Sequence, residues 1–387
     1  MSTGKVDVII PVFNGSQYLK ECLDSIESQT YREIHLIIVD DYSDDDSIEI
    51  IHQYQQRSAC QVTLLKNDKN MGVSYSRNRA LKYLEGQYVT FIDADDVLKP
   101  HHLATLVNCL KSSPARMAVT GGGSHLIINP KNIKRTKTYA FSDGLCEILG
   151  ARGVEGYLWN KMFYAEDLQR SGIEFDNDIF MGEDLLFVCE NFLFLRAPLI
   201  YHPPVTYYYR PNQASAMRKQ LDKKGVIAKG DNWLVTYRKI FKLLQPQRAK
   251  LDQKVIDLAT TQYLASINDL ISNLVEVGEL QRARQFQSEY FKFRKHLVAR
   301  VMLSPYFSIK RKVSIAQKVR RNYLLFKKIE FLVRLMARYI IDVARSESND
   351  GDHKPKLDVS RILHNQLGFT TIYLKKYQHS KIDQHFF

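Results

Sequence analysis

The sequence predicts an α/β fold in which a mostly parallel sheet is flanked by helices, followed by a mostly helical C-terminal region. Three observations support this fold class. Apolar segments of strand length alternate with segments of helical periodicity through the first 93 residues. The strand candidates are near-continuous runs of Ile, Val and Leu, as in strands buried on both faces of a parallel sheet. From about residue 225, long helical patterns replace the strand signals.

The predicted elements follow one another in strand-helix order with short polar connections. The strand candidates are VDVIIPV, EIHLIIVD, QVTLLK and YVTFID. The helix candidates between them are SQYLKECLDSIESQ, SIEIIHQYQQ and SYSRNRALKYLEG. Parallel strands with right-handed crossovers have their carboxyl ends at one edge of the sheet, and ligands bind there. We therefore expect one crevice at this edge.

Polar loops follow all four strand candidates, with the sequences PVFNGS, DDYSDDDS, NDKNMG and DADD. Most of these loops carry acids or amides, which suits a binding site. Any one of them could instead be a solvated turn or a helix cap, because Asp and Ser cap helices well. Their convergence on one edge favours the binding site.

The length of 387 residues exceeds the usual size of a single domain. We predict a sheet-based domain over 1–224, a helical basic region over 225–345, a linker over 346–358 and a C-terminal tail over 359–387. The first residues lack the basic-apolar-small pattern of a signal peptide, and no long apolar stretch is free of charge. The five cysteines are odd in number and form no CxxC motif. These features predict a cytoplasmic protein without a membrane span or a zinc site.

The basic charge of the chain is concentrated in its C-terminal part. Residues 231–387 contain 29 Lys and Arg against 14 Asp and Glu, whereas residues 1–230 contain 26 against 28. This split argues against nucleic acid binding by the N-terminal fold. Within the segment LLFKKIEFLVRLMARYIIDVA, an apolar stripe runs beside a basic one. We predict that residues 291–345 bind an anionic membrane surface on the inner face of the cell membrane; the alternative is a packed bundle with a solvated basic face.

The fourth strand candidate runs directly into Asp93, Asp95 and Asp96. Crowded carboxylates repel each other unless a cation neutralises them, and their hard oxygen atoms suit Mg²⁺ or Mn²⁺. Mg²⁺ is usually held by one or two carboxylates together with ligand phosphates. The site therefore predicts a phosphorylated partner, most simply a nucleoside diphosphate.

Seven motifs follow one another along the chain: VIIPVFNGSQYLKECLDSI, IIVDDYSDDDS, NMGVSYSRNRAL, FIDADD, WNKMF, GEDLLF and YYYRPNQAS. This ordered set resembles the inverting family 2 glycosyltransferases with the GT-A fold, a Rossmann-like fold. The resemblance covers roughly residues 4–215. The resemblance is to bacterial enzymes of capsular polysaccharide, exopolysaccharide or teichoic acid synthesis.

The resemblance implies roles for the residues at matching positions. The residues implied to contact the nucleotide sugar are Pro11, Phe13, Asn14, Asp40, Asp41, Asn70, Arg77 and Asp93. Of the two adjacent acids, one of Asp40 and Asp41 contacts the uracil or ribose. Asp93 contacts the ribose region, and Asp95, with Asp93 beside it, binds the metal on the diphosphate.

Transfer of a sugar also needs a base for the acceptor hydroxyl. The resemblance implies Asp184 of GEDLLF as this base, with Glu183 beside it at the acceptor. Alternatively, both acids could simply favour the N-terminus of a helix. Trp159 of WNKMF is expected to stack on a sugar next to Asn160 and Lys161, although Trp159 could be a buried anchor.

Arg210 of YYYRPNQAS could hold the diphosphate with two hydrogen bonds, or could form a structural ion pair. Where many relatives have a histidine in this segment, Pro211 follows Arg210. We therefore expect no histidine ligand there.

We predict a metal-dependent inverting glycosyltransferase that uses a UDP-sugar and a glycan or lipid-linked acceptor. A sugar nucleotidyltransferase is one alternative, but PVFNGS lacks the Gly-rich, basic signature expected of that class. A nucleotide-sugar-binding scaffold without catalysis is the other. The presence of both Asp95 and Asp184 argues against a scaffold.

Overall fold

The computed structural model describes residues 2–123, 135–150, 154–211 and 222–286, together with residues 317 and 322. The strands are β1 Ser2–Val12, β2 Ile34–Asp40, β3 Gln61–Lys66, β4 Gly86–Phe91, β5 Val97–Leu98, β6 Met117–Gly123, β7 Lys137–Tyr139, β8 Lys161–Tyr164 and β9 Leu199–Tyr208. The helices are α1 Ser16–Glu27, α2 Ser47–Arg57, α3 Val73–Leu81, α4 His102–Lys111, α5 Phe141–Leu149, α6 Ala165–Ser171, α7 Glu183–Leu195, α8 Lys223–Leu244, α9 Gln253–Glu276 and α10 Leu280–Gln285. A 3₁₀ turn over Gln245–Lys250 joins α8 to α9.

The sheet confirms the predicted α/β fold class. Its strand order is β3-β2-β1-β4-β8-β6-β9-β5, with β7 paired to β9. The first four strands are mutually parallel, with Ile9 of β1 paired to Ile37 and to Phe91. Beyond β4 the sheet is mixed, because β8 runs antiparallel to both β4 and β6. The loops after β1 to β4 therefore leave one edge, as the strand-helix alternation predicts.

Successive residues of β1 face opposite sides of the sheet. Val8 and Ile10 belong to a cluster with α1 and α4, whereas Ile9 belongs to a second cluster on the other face. The second cluster continues through Phe187 of α7 to Leu234 of α8 and to α9 without interruption. One apolar core thus joins the sheet to the first C-terminal helices.

The C-terminal region is helical where the structure describes it. Helix α9 is apolar and buried on most of its circumference, and Asn268 on it accepts hydrogen bonds from the buried side chain of Asn322. Asn322 is therefore packed inside the protein, although it lies within the range predicted to bind membranes. The rest of the predicted basic helix, the linker and the tail lie outside the described residues. Among the helices described here, none is both long enough and apolar enough to cross a bilayer.

Candidate active site

The loops after β1 and β2 are bound to each other at the carboxyl edge of the sheet. The backbone N–H of Asn14 donates to Ser43 Oγ (3.0 Å), and Asn14 Oδ1 accepts from the N–H of Asp44 (3.0 Å). The N–H of Gly15 donates to Ser47 Oγ (2.9 Å). Asn14 has a positive φ of 49°, a conformation that Asn adopts more readily than most residues. Asn14 thus lies at the predicted nucleotide pocket and joins its two walls.

Asp41 is buried, and its carboxylate is bound within the protein. Oδ1 accepts hydrogen bonds from Asn67 Nδ2 (2.7 Å) and from the N–H of Met71 (2.8 Å). Oδ2 accepts from the N–H of Gly72 (2.7 Å). Asp41 therefore fixes the loop that connects β3 to α3.

Asp40 is the neighbouring acid, and only part of its carboxylate is bound. Oδ2 accepts a long hydrogen bond from the N–H of Ser43 (3.3 Å), while Oδ1 is buried without a hydrogen-bond partner among the residues described. A buried oxygen of this kind is costly unless a donor reaches it. Phe13 and Asn70 lie exposed, and Pro11 lies in β1 opposite Val39. Of the two adjacent acids, Asp40 is the one with a carboxylate oxygen that has no hydrogen-bond partner among the described residues.

Arg77 connects two acids that are far apart in sequence. One terminal nitrogen of its guanidinium donates to Glu183 Oε1 (2.9 Å), and the other donates to Asp93 Oδ1 (3.2 Å). The side chain is buried and lies 5.4 Å from the centre of the Phe175 ring. Its Nε has no hydrogen-bond partner in the described part of the chain. Arg77 thereby joins the loop after β4 to the start of α7.

The three acids after β4 differ in their surroundings. Asp96 is fully buried and accepts hydrogen bonds from the Tyr207 hydroxyl (2.7 Å) and the N–H of Arg210 (2.8 Å). Burial, together with the charge of Asp93, raises the pKa of Asp96 to about 8. Asp93 and Asp95 are only half-buried. The two acids predicted to bind metal are thus the accessible ones.

The donor set of Asp93 and Asp95 fits a divalent cation bound together with a diphosphate. The described residues contain no cluster of three or more His, Cys, Asp or Glu side chains that could hold a metal. However, one or two carboxylates are enough when phosphate and water supply the other ligands. Burial raises the pKa of Asp93, and the positive charge of Arg77 opposes this shift. A cation at the accessible carboxylates would lower their mutual repulsion further.

Asp184 is the second residue of α7, which begins after Gly182. Gly182 has a φ of 80°, where a glycine avoids the strain of a side chain. Asp184 Oδ1 accepts from the N–H of Leu185 (2.7 Å). Burial and the neighbouring charge of Glu183 raise the pKa of Asp184 to about 7. A carboxyl group with such a pKa can exchange protons near neutral pH, as a general base must.

Trp159 belongs to a stack of aromatic rings. Its ring centre lies 4.6 Å from that of Tyr207, 5.5 Å from Tyr157 and 5.9 Å from Tyr209. The stack passes over Gly122 of β6, where a Cβ atom would lie 2.0 Å from the Trp159 ring. Because Tyr157 remains exposed, the stack offers an aromatic surface of the kind that sugars contact.

Asn160 and Lys161 lie beneath the site, in contrast to their predicted contact with the acceptor. Asn160 is buried and donates to the carbonyl of Thr120 (2.8 Å). Lys161 is fully buried and donates to the carbonyl of Val154 (2.9 Å) and to Asn160 Oδ1 (3.0 Å). Burial lowers the pKa of Lys161 to about 7. Both side chains are bound to partners inside the protein, so neither is available for the predicted contact with an acceptor.

Arg210 forms the ion pair that the sequence left as an alternative. Its Nε donates to the carbonyl of Asp95 (2.8 Å), and its guanidinium pairs with Glu21. The guanidinium carbon lies 4.7 Å from the centre of the Tyr18 ring. Arg210 therefore lies next to the predicted metal ligands, with one partner that is exposed to solvent.

Two residues that hold the start of α7, Asn232 and Thr236, were not predicted from the sequence. Asn232 Oδ1 accepts from the N–H groups of Phe180 (2.9 Å) and Met181 (2.8 Å), and Thr236 Oγ1 donates to the carbonyl of Met181 (2.8 Å). Both polar residues lie on α8 at a spacing of four residues. The sequence shows only two polar residues on one face of a predicted helix. Such pairs are common on any helix that faces water, so this pair does not indicate a functional role.

A family model described as "Glycosyl transferase family 2" matches residues 7–176. Over 115 residues, 30% of this chain, the sequence is 38% identical to a protein named glycosyltransferase GlyA from Streptococcus pneumoniae. Over 191 residues, 49% of this chain, it is 27% identical to the poly(ribitol-phosphate) β-glucosyltransferase of Bacillus spizizenii. The matches span 16% of the first relative and 30% of the second.

Two solved structures share the fold at low sequence identity. Staphylococcus aureus TarS 1–349 in complex with UDP-GlcNAc has a TM-score of 0.50 and 18% identity, and the alignment covers 74% of this chain and 89% of that one. The mannosyltransferase PcManGT of Pyrobaculum calidifontis, in complex with GDP-Man and Mn²⁺, has a TM-score of 0.51 and 17% identity. That alignment covers 84% of this chain and 87% of the other.

Proposed function

We propose that this protein transfers a sugar from a UDP-sugar to a glycan acceptor with inversion at the anomeric carbon, and the match of residues 7–176 to the family 2 glycosyltransferase model supports this proposal. The observation that carries the proposal is the position of Arg77 between Asp93 and Glu183. This contact brings Asp93, after β4, and Glu183, at the start of α7, to one guanidinium group. Transfer from a nucleoside diphosphate needs acidic side chains for two tasks. One set binds the cation that neutralises the leaving diphosphate, and another acid accepts the proton of the acceptor hydroxyl.

On the donor side, Asp40 is the residue that we propose to contact the uracil ring of the nucleotide. Its buried Oδ1 can accept an N–H, and uracil has one such donor on its edge. Phe13 is exposed beside it and offers a ring for stacking. Complexes of structural neighbours with UDP-GlcNAc and with GDP-Man are compatible with a nucleotide in this position. The choice of UDP for this chain is part of the proposal.

Asp95, with Asp93, would hold Mn²⁺ or Mg²⁺ on the diphosphate. Such a cation, when bound, acts as a Lewis acid that neutralises the charge of the leaving diphosphate. Arg210 lies next to Asp95, and its exposed ion pair with Glu21 is weak enough to exchange for a phosphate. These residues orient the diphosphate on one side of the anomeric carbon.

On the acceptor side, Asp184 is the proposed base. The acceptor hydroxyl transfers its proton to a carboxylate oxygen of Asp184 while its own oxygen forms the new bond to the anomeric carbon. The bond from that carbon to the diphosphate oxygen breaks, and its electron pair leaves with the diphosphate. Attack from the side opposite the leaving group inverts the configuration. The aromatic stack of Trp159 provides a surface for the acceptor sugar.

The acceptor is proposed to be a lipid-linked or cell-surface polysaccharide, or a teichoic acid precursor. The name of one relative, a poly(ribitol-phosphate) β-glucosyltransferase, supports this class. Attachment to the inner face of the membrane through residues 291–345 remains a prediction from the sequence. It agrees with the class of acceptor, which is assembled at a membrane in its lipid-linked form.

The test incubates the full chain with a panel of UDP-sugars, Mn²⁺ and an acceptor panel that includes poly(ribitol phosphate). Release of UDP together with a glycosylated product is the expected result, and the anomeric configuration follows from the coupling constants of the product. UDP-sugar binding without hydrolysis or transfer over the whole panel would favour the scaffold. Formation of a UDP-sugar from UTP and a sugar phosphate would favour the nucleotidyltransferase.

A further inference from the structure

The loop that leads into α7 is fastened to α8. Asn232 Oδ1 accepts two consecutive backbone N–H groups, those of Phe180 (2.9 Å) and Met181 (2.8 Å). The hydroxyl of Thr236 donates to the carbonyl of Met181 (2.8 Å). Asn232 is 9% exposed and Thr236 is fully buried. Water therefore cannot readily replace the oxygen of Asn232 if that oxygen is removed.

The same face of α8 contacts the loop on both sides of these bonds. Lys239 forms an ion pair with Asp176 at the start of the loop, and Asn232, Thr236 and Lys239 are spaced four and three residues apart, as on one helix face. At the end of the loop, the Trp233 ring occupies the space beside Gly182, where a Cβ atom would lie 2.6 Å from it. The loop is thus held along its length.

We propose that Asn232 is a positioning residue that holds the carboxylate of Asp184 in the geometry needed to accept the acceptor's proton. This inference rests on the proposed function. The second of these two hydrogen bonds is to Met181, the residue before Gly182, and Asp184 lies three residues after Met181, in the first turn of α7. A catalytic group must be held within about 0.5 Å of its productive position. Without Asn232, the two backbone N–H groups before Gly182 lose their acceptor, and of the two α8 side chains that bind this backbone only Thr236 remains.

Three variants test this role at pH 8.5, where Asp184 is ionised. Asn232→Ala removes the acceptor of both N–H groups and should lower kcat about 10- to 100-fold, with the KM for the donor changed less than about threefold. Asn232→Asp keeps an oxygen in the same place and should restore kcat to within about threefold of the unmodified protein. Leu234→Ala, a buried apolar position of the same helix, should lower the Tm without lowering kcat per folded molecule.

The pH profile gives a readout that a loss of stability alone would not change. Besides Glu183, the charged or titratable groups around Asp184 are Arg77, Asp93, Tyr157, Lys161 and Cys189. A loosened loop would admit water to Asp184, so its pKa would fall toward the ordinary value. In Asn232→Ala, the acidic limb of kcat against pH should therefore move to lower pH, while in Leu234→Ala it should stay.

The outcomes separate this role from the proposed function. Unchanged kcat in Asn232→Ala, an equal loss in Leu234→Ala, or no recovery in Asn232→Asp would each overturn the positioning role alone, provided that the unmodified chain is active. Absence of turnover in the unmodified chain would overturn the proposed function and this role together. A lowered kcat with a displaced acidic limb, reversed by Asn232→Asp, would support the role.

Discussion

The two sides of the crevice are held by different means. On the proposed donor side, the loops after β1 and β2 bind each other directly, for example through Asn14 and Ser43. On the proposed acceptor side, the loop before Asp184 is bound by Asn232 and Thr236, which lie about 50 residues further along the chain. The family match covers the loops after β1 to β4 and ends at residue 176, before Asp184, Arg210 and α8. The loops of the proposed donor side thus lie within the matched residues, whereas the loop before Asp184 is held by a helix outside them.

The largest expected effect is on the donor side. Asp95→Ala should abolish Mn²⁺-dependent UDP binding and turnover, because a main metal ligand is lost. The fold should survive, since Asp95 is only half-buried. Calorimetric titration with UDP in the presence and absence of Mn²⁺ measures the binding, and circular dichroism measures the melting temperature.

Asp46→Ala is the matched control, because Asp46 is an exposed acid of the neighbouring loop whose side chain makes no cap hydrogen bond. It should bind UDP as the unmodified protein does. Unchanged Mn²⁺ dependence of UDP binding in Asp95→Ala would show that the metal lies elsewhere.

On the acceptor side, Asp184→Asn should separate binding from chemistry. Donor binding should remain, while transfer should fall by about 10²-fold or more, as expected when a positioned base is removed. Single-turnover kinetics with saturating donor measures the chemical step. The control is Asp178→Asn, an exposed acid of the loop before α7. Near-normal transfer by Asp184→Asn would exclude it as the base.

The pH dependence distinguishes the two sides further. With a pKa of about 7, Asp184 is increasingly protonated below pH 7, and the rate of transfer should fall about tenfold per pH unit below about pH 6. The raised pKa also means that the folded state binds the proton more tightly than the unfolded state. The contribution of Asp184 to stability is therefore present below its ordinary pKa and is lost as pH rises toward 7.

It follows that Asp184→Asn should melt at a higher temperature than the unmodified protein at pH 8, with a smaller difference near pH 4. Scanning calorimetry at the two pH values measures this. A difference that does not depend on pH would contradict the raised pKa.

The smallest expected effects distinguish the adjacent acids after β2. Asp40→Asn should weaken UDP binding about tenfold and leave the melting temperature nearly unchanged, because Oδ1 has no partner among the described residues. Asp41→Asn should lower the free energy of unfolding by about 1–3 kcal/mol, since an amide cannot accept all three of its hydrogen bonds. Calorimetric titration and urea unfolding compare the pair. Weaker UDP binding in Asp41→Asn, together with lower stability in Asp40→Asn, would assign the nucleobase contact to Asp41.

The parallel direction of the first four strands and the convergence of their loops could be predicted from the sequence, because both follow from strand-helix alternation. The mixed part of the sheet could not, since the short strand β8 carries no periodicity that reveals its direction. Among the site residues, Asp93 and Asp95 are accessible as predicted from their place after β4.

The burial of individual side chains at the site was harder to predict from the sequence than the positions of the loops. Lysine side chains are usually exposed, but Lys161 is fully buried. Its burial is possible because Asn160 Oδ1 and the carbonyl of Val154 accept its hydrogen bonds. The bridge from Arg77 to Glu183 spans 106 residues, and no local pattern indicates it. Side chains that act across such distances are determined by packing rather than by spacing.

The apolar cluster that runs from Ile9 of β1 through Phe187 to Leu270 of α9 has a thermodynamic consequence. Separation of α8 and α9 from the sheet would expose this cluster to water, which costs free energy in proportion to the apolar area. The helices and the sheet should therefore unfold cooperatively, in one transition. Heat or denaturant would then unfold the donor side and the acceptor side together. No partly folded form would keep the nucleotide site after it had lost Asp184, the proposed general base.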